Sequence, residues 1–179
     1  MKKLLTVLFV CFGLATYGQT TTNPDTVCAN ATGEIHFVTN TPGSTYQWTI
    51  TGGGTLAGGQ GTNSITTDWG AIPGLYPNAV SVTETNASNC PGLPINLDVY
   101  VLQMGLSPLG PFCVGDSAQN LSGIPAGGTY SGTGVVGNQF DPVAALLGVN
   151  VITYSLAGCT STINVIVNTG PITGPIQHY

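Results

Sequence analysis

A tryptophan in the middle of a short alternating run constrains the fold of this chain most. Residues 46–50 read Tyr-Gln-Trp-Thr-Ile, so apolar and polar side chains alternate. Because successive side chains of a strand point to opposite faces, this run predicts a strand with one buried face. Cys28 precedes Trp48 and Cys90 follows it, a spacing typical of a two-layer β-sandwich with the tryptophan in its core. The stretch therefore predicts an all-β fold.

The first 18 residues predict a secretory signal peptide. Lys2 and Lys3 form a basic start, residues 4–14 an apolar run, and residues 15–18 an exit of mostly small residues. The apolar run is shorter than the roughly 20 residues that a membrane-spanning helix needs. We therefore expect cleavage after Gly18 and no membrane insertion. The expected location is extracellular or at the cell surface, with the periplasm as an alternative.

Charge excludes several classes of function. After residue 18 the chain has no Lys or Arg, while all seven carboxylates remain. Binding of nucleic acid requires cations that neutralise phosphates, so we exclude it. The two histidines, His36 and His178, stand far apart, the carboxylates are scattered, and no cysteine pair has metal-ligand spacing. We predict no enzyme, no catalytic residues, no metal site and no cofactor.

Strand-forming segments recur through residues 19–104, which we interpret as one small sandwich. They are rich in β-branched and aromatic residues, and turns rich in Gly, Pro and Asn separate them. The predicted strands are residues 35–39, 46–50, 64–69, 79–85 and 95–101. The glycine-rich stretches 52–54 and 58–61 are predicted to be turns between strands.

The pattern restarts in residues 105–168, which again begin and end near a cysteine. The predicted strands of this part are residues 118–121, 128–131, 137–140, 149–154 and 161–167. This part has no tryptophan, so we expect Tyr130 and Tyr154 to fill its core. The sequence thus predicts two tandem antiparallel β-sandwiches, followed by a tail or linker at residues 169–179.

Four cysteines remain after the signal peptide: Cys28, Cys90, Cys113 and Cys159. An even number in an exported protein predicts two disulfides, and three pairings are possible. The shared cysteine-to-cysteine plan of the two parts favours Cys28–Cys90 and Cys113–Cys159 over cross-pairing. We therefore expect one disulfide in each sandwich.

Two sets of motifs resemble known repeat modules. In the first part they are residues 27–29, 46–50, 59–66 and 69–70, together with Cys90. In the second part they are residues 111–113, 125–132, 140–142, 152–154 and 158–159. Residues 26–102 resemble a PKD-like domain, and residues 105–168 resemble the shorter immunoglobulin-like repeats of the same proteins. Such modules occur in secreted and cell-surface proteins of Bacteroidetes, including gliding- and adhesin-type proteins.

This resemblance implies two tandem Ig/PKD-like sandwiches in a non-catalytic structural or adhesive protein. Its expected partners are other surface or extracellular proteins, or further copies of itself. One alternative is a carbohydrate-binding module with glycan ligands, in which Trp69, Tyr76 and Tyr100 form a stacking platform. The other is the N-terminal fragment of a larger adhesin with many repeats.

Two further kinds of site have a sequence signal. The tripeptides that begin at Asp25 and Asp116 resemble the Asp-Ser/Thr-apolar sites that Bacteroidetes use for O-glycosylation, which makes Thr26 and Ser117 candidate acceptors. Ile176 and Tyr179 lie on an extended, proline-containing tail that could add to the sheet edge of a partner. The alternative is that this tail is a frayed terminus without a binding role.

Overall fold

The computed structural model of the protein describes residues 24–170, which form strands, turns and loops without a helix. These described residues divide into two compact units, one up to Val101 and one from Leu102. The predicted signal peptide and the tail candidates Ile176 and Tyr179 lie outside the described residues.

Within the described residues, the first unit has seven strands in two sheets. These are β1 (Asp25–Cys28), β2 (Glu34–Phe37), β3 (Thr45–Ile50), β4 (Gly54–Gly58), β5 (Ser64–Trp69), β6 (Gly74–Thr85) and β7 (Ile95–Leu102). The four-stranded sheet has the order β1-β7-β6-β3, and the three-stranded sheet has the order β2-β5-β4. The strand β4 lies between the two glycine-rich stretches that the sequence predicts to be turns, where it predicts no strand, and β4 pairs antiparallel with β5.

Both sheets contribute to one core in this unit. Trp48 is buried as predicted, and its indole Nε1 donates a hydrogen bond of 2.8 Å to the carbonyl oxygen of Thr62. The buried members of this core are Val27, Tyr46, Trp48, Ile65, Trp69, Ala79, Val80, Val82, Val99 and Val101. Burial of side chains from both sheets against each other supplies the main stabilising term of such a sandwich.

Up to residue 170, the second unit has nine strands, most of them very short. They are β8 (Gly105–Leu106), β9 (Phe112–Cys113), β10 (Gln119–Asn120), β11 (Gly123–Ile124), β12 (Thr129–Gly132), β13 (Val135–Val136), β14 (Gln139–Phe140), β15 (Gly148–Leu156) and β16 (Cys159–Asn168). The sheets have the orders β12-β15-β16-β9, β10-β14-β13 and β11-β8. The hairpin of β15 and β16 is the longest antiparallel pair in this unit.

Tyrosine takes the place of tryptophan in the core of the second unit, as the sequence predicts. Tyr154 is fully buried, and its ring centroid lies 4.8 Å from that of the half-buried Tyr130. The Tyr154 hydroxyl accepts a hydrogen bond of 2.8 Å from the Gly128 amide and donates one to the carbonyl oxygen of Pro125. These bonds satisfy the polar end of a buried aromatic side chain.

The predicted disulfide pairing is wrong. Cys113 is a free thiol, so the Cys113–Cys159 bond does not form, while Cys28, Cys90 and Cys159 are disulfide-bonded. Cys28 lies three residues before Ala31, whose carbonyl accepts a hydrogen bond from the Trp69 amide at one end of the first unit.

Cys90 lies at the opposite end of the same unit. The Asn86 amide donates to the carbonyl of Cys90, and the preceding residue, Thr85, pairs with Thr45, the first residue of β3. The Cys28 end lies near the last residue of β3, because Trp69 pairs with Gly54, shortly after that residue. A six-residue strand spans roughly 17 to 20 Å. The Cα atoms of a disulfide lie within about 7 Å of each other. A bond between Cys28 and Cys90 is therefore excluded.

Candidate functional site

The predicted aromatic platform for sugars does not exist. Trp69 is buried in the core of the first unit, where its indole Nε1 donates to Thr67 Oγ1 at 2.9 Å. The alternation of β5 directs Ile65, Thr67 and Trp69 inward, because Ser64, Thr66 and Asp68 take the outer face. A buried ring cannot stack on a ligand, so the prediction for Trp69 is wrong.

The two tyrosines of that platform lie on different faces of their sheet. Tyr76 pairs with Val99, which is buried, and Leu75 pairs with Tyr100, so Tyr76 faces the core side and Tyr100 faces outward. The Tyr76 hydroxyl donates to the carbonyl oxygen of Ile72 at 3.0 Å. Tyr100 therefore stands without the other two predicted residues, and the three do not form one surface.

The candidate acceptors of O-glycosylation are both exposed. Thr26 lies within β1, and Ser117 lies in the connection between β9 and β10. Their hydroxyl groups are accessible, so these two sites stay predictions.

A buried histidine forms a cluster that sequence analysis missed. His36 Nε2 lies 3.1 Å from Thr67 Oγ1, and His36 Nδ1 lies 3.7 Å from Asp25 Oδ2. Trp69 packs edge-on against the imidazole at a centroid distance of 6.4 Å. Burial lowers the pKa of His36, against the opposing effect of Asp25 and Glu34, which raise it. The neutral imidazole is therefore favoured in the folded protein.

The order Asp25, His36, Thr67 has the connectivity of a nucleophilic triad, but its burial rules out catalysis. Thr67 is fully buried, so no substrate can reach its hydroxyl. The same oxygen accepts the Trp69 indole hydrogen, which ties it into the core. These bonds satisfy polar groups inside a sandwich, which is a structural role.

The histidine reverses the expected polarity of β2. His36 is 6% exposed, whereas its neighbours Ile35 and Phe37 are 65% and 75% exposed. The polar side chain thus points inward and the two apolar side chains point to solvent. We call Ile35 and Phe37 the β2 patch.

A second reversal occurs in the other unit. Asn150 in β15 is 2% exposed, whereas Val149 and Val151 are 61% and 53% exposed. The buried amide is satisfied because Nδ2 donates to the carbonyl of Leu146 at 2.7 Å and Oδ1 accepts from the Leu146 amide at 3.0 Å. Ile166 of β16 pairs directly with Val149 and is also exposed. Val149, Val151 and Ile166 form the β15 patch.

Neither metal ligands nor a membrane span accompany these patches. Among residues 24–170, no group of three or more His, Cys, Asp or Glu side chains could hold a metal ion. The described part of the chain has no helix long and apolar enough to cross a bilayer. The reversed strands β2 and β15 each expose two apolar side chains to solvent.

Comparison with known proteins supports the type of module. A family model described as a PKD-like domain matches residues 14–94, which supports the resemblance of the first unit to a PKD/Ig-like repeat. No enzymatic family is indicated. No curated protein matches the chain.

A search of solved structures found a weak similarity to an immunoglobulin-domain protein. It is a fragment of titin with three such domains, in a variant with Glu replaced by Ala, at 9% sequence identity and a TM-score of 0.27. The alignment covers 83% of this chain and 63% of the titin fragment, which is less than two thirds of that fragment. Because residues 14–94 match a PKD-like domain, the chain is similar to modules that serve structural or protein-interaction roles.

Proposed function

We propose that this protein is a non-catalytic, exported structural or adhesive protein that contacts other proteins or cell surfaces through the β15 patch. The observation that carries the proposal is the reversed polarity of β15, where Asn150 is buried and Val149 and Val151 face solvent. The PKD-like match and the presence of disulfide-bonded cysteines support a location outside the cell or at its surface.

The reversal has a physical cost that a partner would offset. Burying a valine or isoleucine side chain stabilises a protein by about 1.5–3 kcal/mol, and β15 forgoes this at two positions in favour of an amide. Exposed apolar clusters on otherwise polar proteins mark interaction sites. Contact with another surface would remove Val149, Val151 and Ile166 from water and recover that free energy.

The experiment is an adhesion assay with the whole chain. Beads that carry the protein are expected to attach to cells of the source bacterium, and the variant Val149→Thr, Val151→Thr, Ile166→Thr is expected to attach far less. Threonine keeps the β-branched shape, so the strands should persist. The matched control replaces Thr160 and Thr162, exposed on the same face of β16, with Ser. Equal attachment by both variants, or none by the native protein, would overturn the proposal.

A further inference from the structure

The outermost strand of the three-stranded sheet combines an open edge with exposed apolar side chains. In residues 24–170, β2 pairs with β5 on one side and ends the sheet on the other. Alternate backbone amides and carbonyls of such an edge strand point away from the sheet and can pair with another strand. The exposed side chains of the β2 patch, Ile35 and Phe37, belong to this edge strand.

The side chains next to the β2 patch on the neighbouring strand are short. Ile35 pairs with Thr66 and Phe37 pairs with Ser64, and these partners carry short hydroxyl side chains on the outer face of β5. The two large apolar groups therefore project beyond their neighbours. An added strand would place every second side chain next to them, because side chains alternate between faces.

Carboxylates determine which strand would fit. Glu34 lies on the same face of β2 as His36, and Asp25 Oδ2 lies 3.7 Å from His36 Nδ1, so these two carboxylates lie on the side of β2 opposite to Ile35 and Phe37. Residues 24–170 contain no Lys or Arg that could neutralise them. The edge strand thus has exposed apolar side chains on one face and negatively charged side chains close by.

We propose that β2 binds an extended segment of a partner protein in which apolar residues alternate with Lys or Arg. Added strands gain affinity from main-chain hydrogen bonds and specificity from alternate side chains. Basic residues, on the face of the added strand opposite to its apolar residues, would complement Asp25 and Glu34, and the apolar residues would cover the β2 patch. A second copy of this chain does not fit, since its described residues carry no cation and would bring carboxylates together. This site is separate from the β15 patch and goes beyond the proposed function.

The test uses the whole chain and synthetic peptides of about eight residues, the usual strand length. The first peptide alternates Lys and Val, the second alternates Glu and Val, and the third alternates Lys and Ser. Fluorescence anisotropy is expected to show binding of the Lys/Val peptide only, weakened by added salt because charge contributes.

Variants locate the binding on β2. The double change Ile35→Thr, Phe37→Thr is expected to weaken binding of the Lys/Val peptide at least about tenfold. The control Ile72→Thr removes another exposed apolar residue of the same unit and should leave binding unchanged. A thermal melt confirms that each variant is folded. Binding of the Glu/Val peptide with equal strength, no binding of the Lys/Val peptide, or an unaffected double variant would overturn the proposal. None of these results bears on the β15 variants, so the two proposals fail separately.

Discussion

The side-chain amide of Gln60 bonds to both backbone groups of Trp48. The Trp48 amide donates to Gln60 Oε1 at 2.9 Å, and Gln60 Nε2 donates to the Trp48 carbonyl at 2.9 Å. The next residue, Gly61, forms a backbone bridge with Tyr46. Together they cover the free edge of β3, the outer strand of the four-stranded sheet. Many proteins protect such edges with lysine, and this chain has no lysine after residue 3.

Removal of this amide should weaken the first unit. Gln60→Ala leaves the amide and carbonyl of Trp48 without their partner, so we expect a loss of about 1–3 kcal/mol in the free energy of unfolding. Gln60→Glu keeps the acceptor for the Trp48 amide but turns a carboxylate oxygen toward the Trp48 carbonyl, so it should also destabilise the unit. Urea unfolding measures both, with Gln47→Ala on the outer face of β3 as the control. Equal losses for Gln60→Ala and Gln47→Ala would show that the clamp contributes nothing.

Acid should destabilise the first unit through His36. Burial lowers the pKa of His36 below its ordinary value of 6.5, despite Asp25 and Glu34. The unfolded chain then binds the proton more readily, so this contribution to stability is complete above that value and is lost as the pH falls through the folded-state pKa. We therefore expect the Tm to fall as the pH drops below 6.5.

The pH slope can be assigned to His36 by substitution. His36→Gln removes the titrating group and keeps a side chain able to bond Thr67, so its Tm should vary less over the same range. Asp25→Asn removes a charge that raises the pKa of His36, so the folded-state pKa should fall further. An unchanged slope in His36→Gln would assign the acid effect to other groups.

Gly123 should tolerate no side chain. A Cβ there would overlap the ring of Tyr154, which is fully buried and held by hydrogen bonds of its hydroxyl. We expect Gly123→Ala to destabilise the protein by about 1–3 kcal/mol, as overpacking does. Gly105 pairs with Ile124 on the neighbouring strand, and a Cβ there would meet its nearest atom at 3.7 Å. Gly105→Ala should therefore stay within about 0.5 kcal/mol of the native protein. Thermal unfolding compares the two, and equal effects would contradict the packing argument.

Cys113 should react as a thiol in the native protein. It is half-buried and free, whereas Cys28, Cys90 and Cys159 are disulfide-bonded. Alkylation without reductant, followed by peptide mapping of residues 24–170, should mark Cys113 and spare the other three. Cys113→Ser should abolish that label. Recovery of a peptide in which Cys113 is linked to Cys159 would restore the pairing that the spacing predicts.

The strands that sequence predicts best are those in which local pattern and tertiary packing agree. Residues 46–50 alternate cleanly, and Trp48 is buried as expected. The strand β4 is missed because Gly54 and Gly58 lower strand propensity, and the pairing with β5 decides its conformation instead. Cysteine spacing gives no distance, so it could not show that Cys28 and Cys90 lie at opposite ends of a unit.

The candidate surfaces are harder to predict, because hydrogen bonds overrule hydrophobicity there. Binary patterning would turn Ile35 and Phe37 inward and His36 outward. The structure does the reverse, since the Thr67 hydroxyl and the Trp69 ring receive the imidazole inside the core. The partners come from a distant strand, and no local window of sequence contains them. Such conflicts between pattern and structure are where function is expected.

The parallel pairing of β9 with β16 gives these two strands a shear geometry under a pull along the chain. Phe112 lies opposite Val167, and Cys113 lies opposite Asn168. A pull on the chain before β9 and after β16 slides these strands along each other, so both rungs of the ladder carry the load at once. An antiparallel hairpin pulled at its open end would instead lose its rungs one after another. Under such a pull, the two-residue strand β9 would resist by shear across both of its rungs at once.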